Sequence, residues 1–304
     1  MPRPLPSPRL SILTIAAVLI VAACGGSAAS PSQPVPQTAS PSPSGIAHPT
    51  GASDLVLRYE ISGGFVAPQA LLSRYPMFSI YGDGTVITEG PQAAIFPGPA
   101  LPNLIVTHIS EAGLQKLLGL ARDAGLLGPD RSFDAVNLAD AGTAQFTTVA
   151  EGSRHVISAY GLTEGSDDPG IDPSVAAARA KLRAFVDRIS DLHGTLGSDV
   201  TNGESAYPVT KARLIVTPGA PQGGDAGPQQ TIVWPLATKL AEFGEGFPIG
   251  PETRCGAVEG DAMATLLPLL QRANSATQWV SANRQFTVVV RVLLPDESGC
   301  PAPS

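Results

Sequence analysis

The stretch MFSIYGDGTVITEG, Met77 to Gly90, sets two short runs rich in apolar and β-branched residues on either side of Gly82-Asp83-Gly84. Asp and Gly accept the positive backbone angles of a tight turn, so these residues read as a β-hairpin. Upstream, DLVLRYEIS, Asp54 to Ser62, alternates Leu55, Leu57, Tyr59 and Ile61 with Val56, Arg58 and Glu60, the period of a strand with one buried face. Downstream, Ser110 stands before EAGLQKLLGLARDAGLL. There Leu114, Leu117, Leu118 and Ala121 share one helical face and Gly125 supplies a stop. Between hairpin and helix, PGPALPNL, Pro97 to Leu104, is proline-rich and reads as a surface loop.

Two further strands, TAQFTTVAE and RHVISAYG, meet near Gly152 and Ser153 and predict a second hairpin. Asp172 as cap and Pro173 at the first helical position then open a helix. Its apolar stripe is Val175, Ala178, Leu182, Phe185, Val186 and Ile189, and His193-Gly194 closes it. These elements make a first lobe over 54–195, a mixed sheet backed by two helices. A polar break, GTLGSDVTNGESAYP, separates it from a second lobe over 205–304, with strands at KARLIVTP, TIVWPL and QFTVVVRVLL and a helix from about Asp261. Pro268 inside that helix removes a backbone hydrogen bond and predicts a kink. The fold class is therefore α+β: two small mixed lobes, each an antiparallel sheet packed with one or two helices. Helix followed by hairpin recurs in both lobes and leaves open a weak internal duplication.

Ahead of the lobes lies a leader. Arg3 and Arg9 precede an apolar run, Leu10 to Ala23, that is too short for a membrane span of about 20 residues and stops at Gly25. The run ends in VAAC, Val21 to Cys24, which resembles the lipobox of bacterial lipoproteins. That resemblance implies cleavage after residue 23 and acylation of Cys24, with two or more chains giving a durable hold. Residues 1–23 are then a signal peptide. Residues 24–53 are the lipidated cysteine and a Ser/Pro/Ala-rich stalk, too polar to bury a core and so expected to be disordered, with His48 incidental. As a coil this stalk spans roughly 30 Å. The expected location is outside the cytoplasm, fastened to the membrane through the lipid on Cys24.

The whole chain carries a formal charge of -7, and removal of Arg3 and Arg9 leaves 17 basic residues against 26 acidic ones. That balance argues against nucleic acid as a partner. With Cys24 assigned to lipid, Cys255 and Cys300 remain as an even pair in an oxidising compartment and predict a disulfide.

FSIYGDGTVITEG followed by ISEAGLQKLLGLARDAGLL, with PGPALPNL between them and LLPDESGC near the end, resembles a family of uncharacterised secreted bacterial lipoproteins. The resemblance covers most of the mature chain. It implies location and fold, and no activity.

Signatures of chemistry are few. The sequence has no G-x-S-x-G elbow, no H-E-x-x-H, no C-x-x-C and no G-x-x-x-x-G-K. A triad of His108 or His155 with Ser62 and Asp83 would have to be assembled in space. Glu164, Asp167, Asp168 and Asp172 crowd one loop and offer weak calcium candidates, against the simpler reading of a solvated acidic loop with a helix cap. GDGT, Gly82 to Thr85, reads as turn before catalytic snippet, and Trp234, Trp279, Tyr207 and Phe247 as core before ligand groove. No metal or cofactor is assigned. The leading expectation is a non-catalytic binding or scaffold lipoprotein with an envelope protein or cell-wall partner. A secreted hydrolase with a site lacking a motif, or a solute-binding lipoprotein, are the alternatives.

Overall fold

Eight strands form the first sheet: β1 (Leu55–Gly63), β2 (Phe78–Tyr81), β3 (Thr85–Glu89), β4 (Leu104–Ile109), β5 (Arg131–Phe133), β6 (Gly142–Ala150), β7 (Ser153–Tyr160) and β8 (Val200–Ala206), in the order β5-β7-β6-β1-β2-β3-β4-β8. The computed structural model describes residues 45–66, 72–134, 138–164, 170–220 and 230–301. The leader, Cys24, the stalk as far as Ser44, Asp167 and Asp168 lie outside the described residues. All neighbours in the first sheet are antiparallel except β5 beside β7.

The hairpin at Gly82-Asp83-Gly84 forms as its residues require. Gly84 has φ +82, and a Cβ there would come within 2.3 Å of the Ile109 carbonyl oxygen. Only glycine lets β4 close down on this turn. Helix α1 (Glu111–Asp123) starts where Ser110 accepts from the Gly113 amide, and it buries Leu114, Leu117, Leu118 and Ala121. Helix α2 (Pro173–Ser190) is capped by Asp172, whose side chain accepts from the Ser174 amide at 2.8 Å. Both helices pack on one face of the sheet over Leu57, Tyr59, Phe78, Ile80 and Phe146, with Tyr59 stacked on Phe146 at 4.9 Å. Arg179 of α2 is also fully buried, its guanidinium donating to the carbonyls of Phe133, Tyr160 and Gly161.

The second sheet runs β10 (Thr231–Val233), β13 (Gln278–Ser281), β14 (Arg284–Val292), β9 (Lys211–Pro218), β12 (Arg254–Glu259) and β11 (Glu245–Gly246). Its β10–β13 pair is parallel. Helix α4 (Gly260–Leu270) lays Met263, Leu266 and Leu270 against Leu214, Val216, Trp279 and Phe286. Trp234 and Trp279 meet edge to face at 5.8 Å inside this core. Cys255 on β12 is joined to Cys300 in a disulfide, Cα to Cα 6.0 Å. The chain is thus mixed α+β.

Several expectations give way. The stalk does not reach residue 53, because Ile46 is buried among the first core and its amide donates to Gln115 Oε1 at 2.7 Å. His48 is not incidental: Nε2 lies 3.1 Å from Glu111 Oε1, and Nδ1 2.7 Å from the Pro49 carbonyl. The polar break contains a strand, β8, whose exposed residues carry no alternation to betray it. The helix expected to run to His193 stops at Ser190. Asp191 then caps a short helix, α3 (Leu192–Leu196), that holds His193. Pro97 to Leu104 bridges the lobes instead of looping freely, since the Ala100 amide donates to Ala273 O and the Gly98 carbonyl accepts from Ser275 N.

The two sheets do not repeat one topology. Beside β1 the hairpin enters by its first strand, β6, whereas beside β9 it enters by its second, β14. Pro268 falls in the last turn of α4, which ends at Leu270.

Because Ile46 closes the first core from outside the sheet, Ile46→Ala is expected to lower unfolding stability by about 2–4 kcal/mol. Urea denaturation followed by circular dichroism measures it. A change below ~0.5 kcal/mol would return these residues to the stalk.

Candidate functional site at the junction of the two sheets

The face of the first sheet turned away from the helices carries Tyr81, Ile87, Leu104 and Val106, and it packs on Tyr75, Val292 and Leu294. Around this apolar contact lies a charged network built on the segment that follows β14. Three cations of the second sheet grip that segment. Lys211 Nζ donates to the Glu297 carbonyl at 2.7 Å, Arg213 Nε to Gly299 O at 2.7 Å, and Arg291 makes a two-pronged pair with the Glu297 carboxylate. The Cys255–Cys300 bond fixes its far end.

Held this way, the segment presents Asp296 to the first sheet. Asp296 Oδ1 accepts from Arg58 Nη2 and from the Tyr81 hydroxyl, each at 2.8 Å, while Arg58 Nε donates to Ser79 Oγ at 3.1 Å. Tyr75 receives the Val292 amide on its hydroxyl at 2.6 Å and lies under the Arg291 guanidinium, 4.8 Å from the ring centre. Burial alone would lower the Arg58 pKa, but the Asp296 carboxylate outweighs it and raises the value. Burial pushes the Tyr75 and Tyr81 phenols far up, and pushes Tyr207 up to about 12 with help from Glu297 and Asp296.

Beside this network a cleft of about 360 Å³ opens between the lobes. Val288, Val289 and Val290 contribute from the second sheet. Ser73, Glu89, Gln92 and Ser275 bring polar groups from both sides. Gln92 Nε2 donates to Glu89 Oε1 at 3.2 Å, and Arg74 Nη1 donates to the carbonyls of Ile61 and Gly63. The cleft thus offers a carboxylate, an amide and hydroxyls above an apolar wall, with no histidine among its lining residues. Such a set can hold hydrogen-bond donors and cationic groups.

The residues weighed for a triad are not brought together. Ser62 lies near the C-terminal end of β1 opposite Thr143, while Asp83 follows Tyr81, which pairs with Leu55 at the other end, about 20 Å away along the strand. His108 on β4 and His155 on β7 are separated by four intervening strands. His155 Nδ1 faces the Gly128 carbonyl at 2.9 Å. Its Nε2 is sealed from solvent without a partner, as is the hydroxyl of Thr148 directly opposite. Glu164 accepts from the Gly142 amide, and Asp172 is a helix cap whose pKa its bonds from Ser174 hold down. Among the described residues no three His, Cys, Asp or Glu side chains converge to hold a metal ion. Phe247 packs with Cys255 and Ile215 away from the two tryptophans, and the Tyr207 hydroxyl donates to Leu293 O, so the four aromatics line no common groove.

Sequence reasoning missed Arg58, Asp296 and the cleft. The strand alternation puts Arg58 on a solvent face, and only its charge, between Leu57 and Tyr59, signals a buried partner. Compared with models of protein families, with curated proteins and with solved structures, the chain finds no match in any of the three.

Asp296→Ala leaves Arg58 and Tyr81 facing each other without their anion and is expected to lower stability by about 3 kcal/mol in urea denaturation. The accompanying change Arg58→Met should recover part of that loss.

Each phenol raised in the folded state contributes stability that is complete below the unfolded value near 10 and is lost as pH rises through the folded value. Stability is therefore expected to fall from about pH 10 upward. Absorbance of tyrosinate at 295 nm should lag behind that of the urea-unfolded chain over the same range; coincident curves would remove Tyr75, Tyr81 and Tyr207 from the core.

Proposed function

We propose that this chain is an extracytoplasmic lipoprotein, anchored through Cys24, whose two-sheet body works as a non-catalytic binding protein with the inter-lobe cleft as its ligand-facing site. The observation that carries the binding half is the cleft itself: a preformed opening between two lobes latched together by Asp296 and Arg58, furnished with polar groups from both and an apolar wall. Concave, largely preformed openings at domain junctions are where ligands are held. A hinged capture of solute would require the buried Arg58–Asp296 pair to part, which favours a rigid binder over two closing lobes.

The anchoring half is supported by the leader and VAAC, and by the Cys255–Cys300 disulfide, a bond that persists in oxidising compartments. Among the described residues no helix is long and apolar enough to cross a membrane.

Cys24→Ala is expected to move the protein from the membrane pellet into the soluble extracytoplasmic fraction without changing its thermal midpoint. Mass spectrometry of the mature N-terminal peptide should show acylated Cys24. For the binding half, a photo-reactive phenylalanine replacing Gln92 should cross-link one specific species in intact cells, and a control at exposed Lys116 should not. Unmodified Cys24 sinks the anchor, and equal labelling at both positions sinks the cleft.

A further inference from the structure

Six of the large apolar side chains that stand in solvent share one end of the first sheet. Phe65 is 91% exposed, Phe96 72% and Ile95 64%, with Val66, Met77 and Leu138 also exposed. Leu138 leads into β6, Phe65 and Val66 follow β1, Met77 precedes β2, and Ile95 and Phe96 follow β3. The strand ends that these residues flank are adjacent in the order β6-β1-β2-β3 and make a row about 15 Å across. The Tyr160 hydroxyl donates to Leu138 O, and Gly64 lies against Asp140 O, which ties the β1 and β6 ends together. Exposed apolar residues scattered singly need no explanation, but six that flank adjacent strand ends do.

Two observations say what covers the row. The first is charge. Glu89, Asp134, Asp140 and Glu164 stand exposed at the same end and outnumber Arg74, which keeps its charge while donating to the carbonyls of Ile61 and Gly63. An acidic, apolar surface is complementary to a basic, apolar one and repels anionic lipid. The second is where the chain enters the body. Ala47 O accepts from Glu151 N in the β6–β7 turn and Pro49 O lies against Gly82 in the β2–β3 turn, so Gly45 enters at the opposite end of the sheet.

We infer that this row, Phe65, Met77, Leu138, Ile95 and Phe96 with Asp140 and Glu89 beside it, is the docking surface for a protein partner that presents an apolar patch ringed by Lys and Arg. The inference rests on the reading of a tethered binding protein, whose cleft is lined by Glu89 and by Gln92, three residues before Ile95 in the chain.

The test uses the complete mature chain with Cys24→Ala and three fluorescein-labelled helical peptides of equal length, composed of Leu/Lys, Ser/Lys and Leu/Glu. Fluorescence anisotropy should show the Leu/Lys peptide binding and the other two failing. Affinity should fall at least tenfold in Phe65→Ser/Ile95→Ser/Phe96→Ser, and again in Glu89→Lys/Asp140→Asn, with thermal midpoints unchanged because all five side chains are exposed and Asn keeps the left-handed backbone of Asp140. Unchanged affinity in the triple variant, equal binding of the Ser/Lys peptide, or binding to phosphatidylcholine vesicles that requires Phe65 and Phe96 would each overturn the inference. If the peptide fails while a photo-reactive residue at Phe96 still cross-links one protein in cells, the stated partner chemistry falls and the binding reading stands. If both fail, the two fall together.

Discussion

The contact on which the arrangement depends is that of Asp296 with Arg58 and Tyr81, made across a separation of 238 residues between acid and arginine. A guanidinium placed on a strand with both faces covered has lost most of its water, and only a carboxylate with well-aimed oxygens offsets that loss. The carboxylate cannot be supplied by a free tail, because ordering a terminal segment costs about 1–2 kcal/mol for each residue fixed. The second sheet meets that cost. Lys211, Arg213 and Arg291 converge on backbone and side chain between Pro295 and Gly299, and the disulfide closes a loop with a sequence separation of 45, worth about 4 kcal/mol by chain-entropy arithmetic. Oxidation, tail geometry and lobe docking are thereby linked: each makes the next one affordable.

Much of the first lobe was legible because its helices cover one face and leave a clear period. Leu55 to Ile61, the two hairpins and the stripes of α1 and α2 all carry that signature, and their turns and caps, Gly84, Ser110 and Asp172, name their own ends. What escaped did so for physical reasons. β8 is exposed along its length and needs no apolar residues; its strand character comes from hydrogen bonds to β4 that composition does not record. β5 has three residues, too few to show any period. Arg58 sits where the alternation predicts solvent, and a second lobe docks there instead. The disulfide was legible by counting cysteines, whereas the cleft, assembled from residues between 73 and 290, was not legible at all.

The same reasoning explains why the start of the body was misplaced. GIAHPTGAS has the composition of a linker, and one isoleucine does not make a period. Yet Ile46 fills the edge of the core beside α1, while Gln115 supplies Oε1 to its amide and Nε2 to its carbonyl, satisfying both backbone groups that burial would otherwise strand. His48 adds a contact to Glu111, whose carboxyl is held below its usual range: burial works against this, and the bonds from His48 and Gln115 prevail.

That clamp has a geometric consequence. Ala47 O accepts from Glu151 N in the β6–β7 turn and Pro49 O lies against Gly82 in the β2–β3 turn, so residues 46–49 are held at the end of the sheet where β1 begins. The strand ends that carry the cleft and the apolar row lie across the full height of the sheet, about 30 Å for the nine residues of β1. The end that holds residues 46–49 and the end that carries the cleft and the exposed apolar residues are thus opposite ends of one sheet. Had Ile46 and His48 made no contacts, the residues ahead of Asp54 would have no fixed place on that sheet; burying one isoleucine and one histidine gives them one.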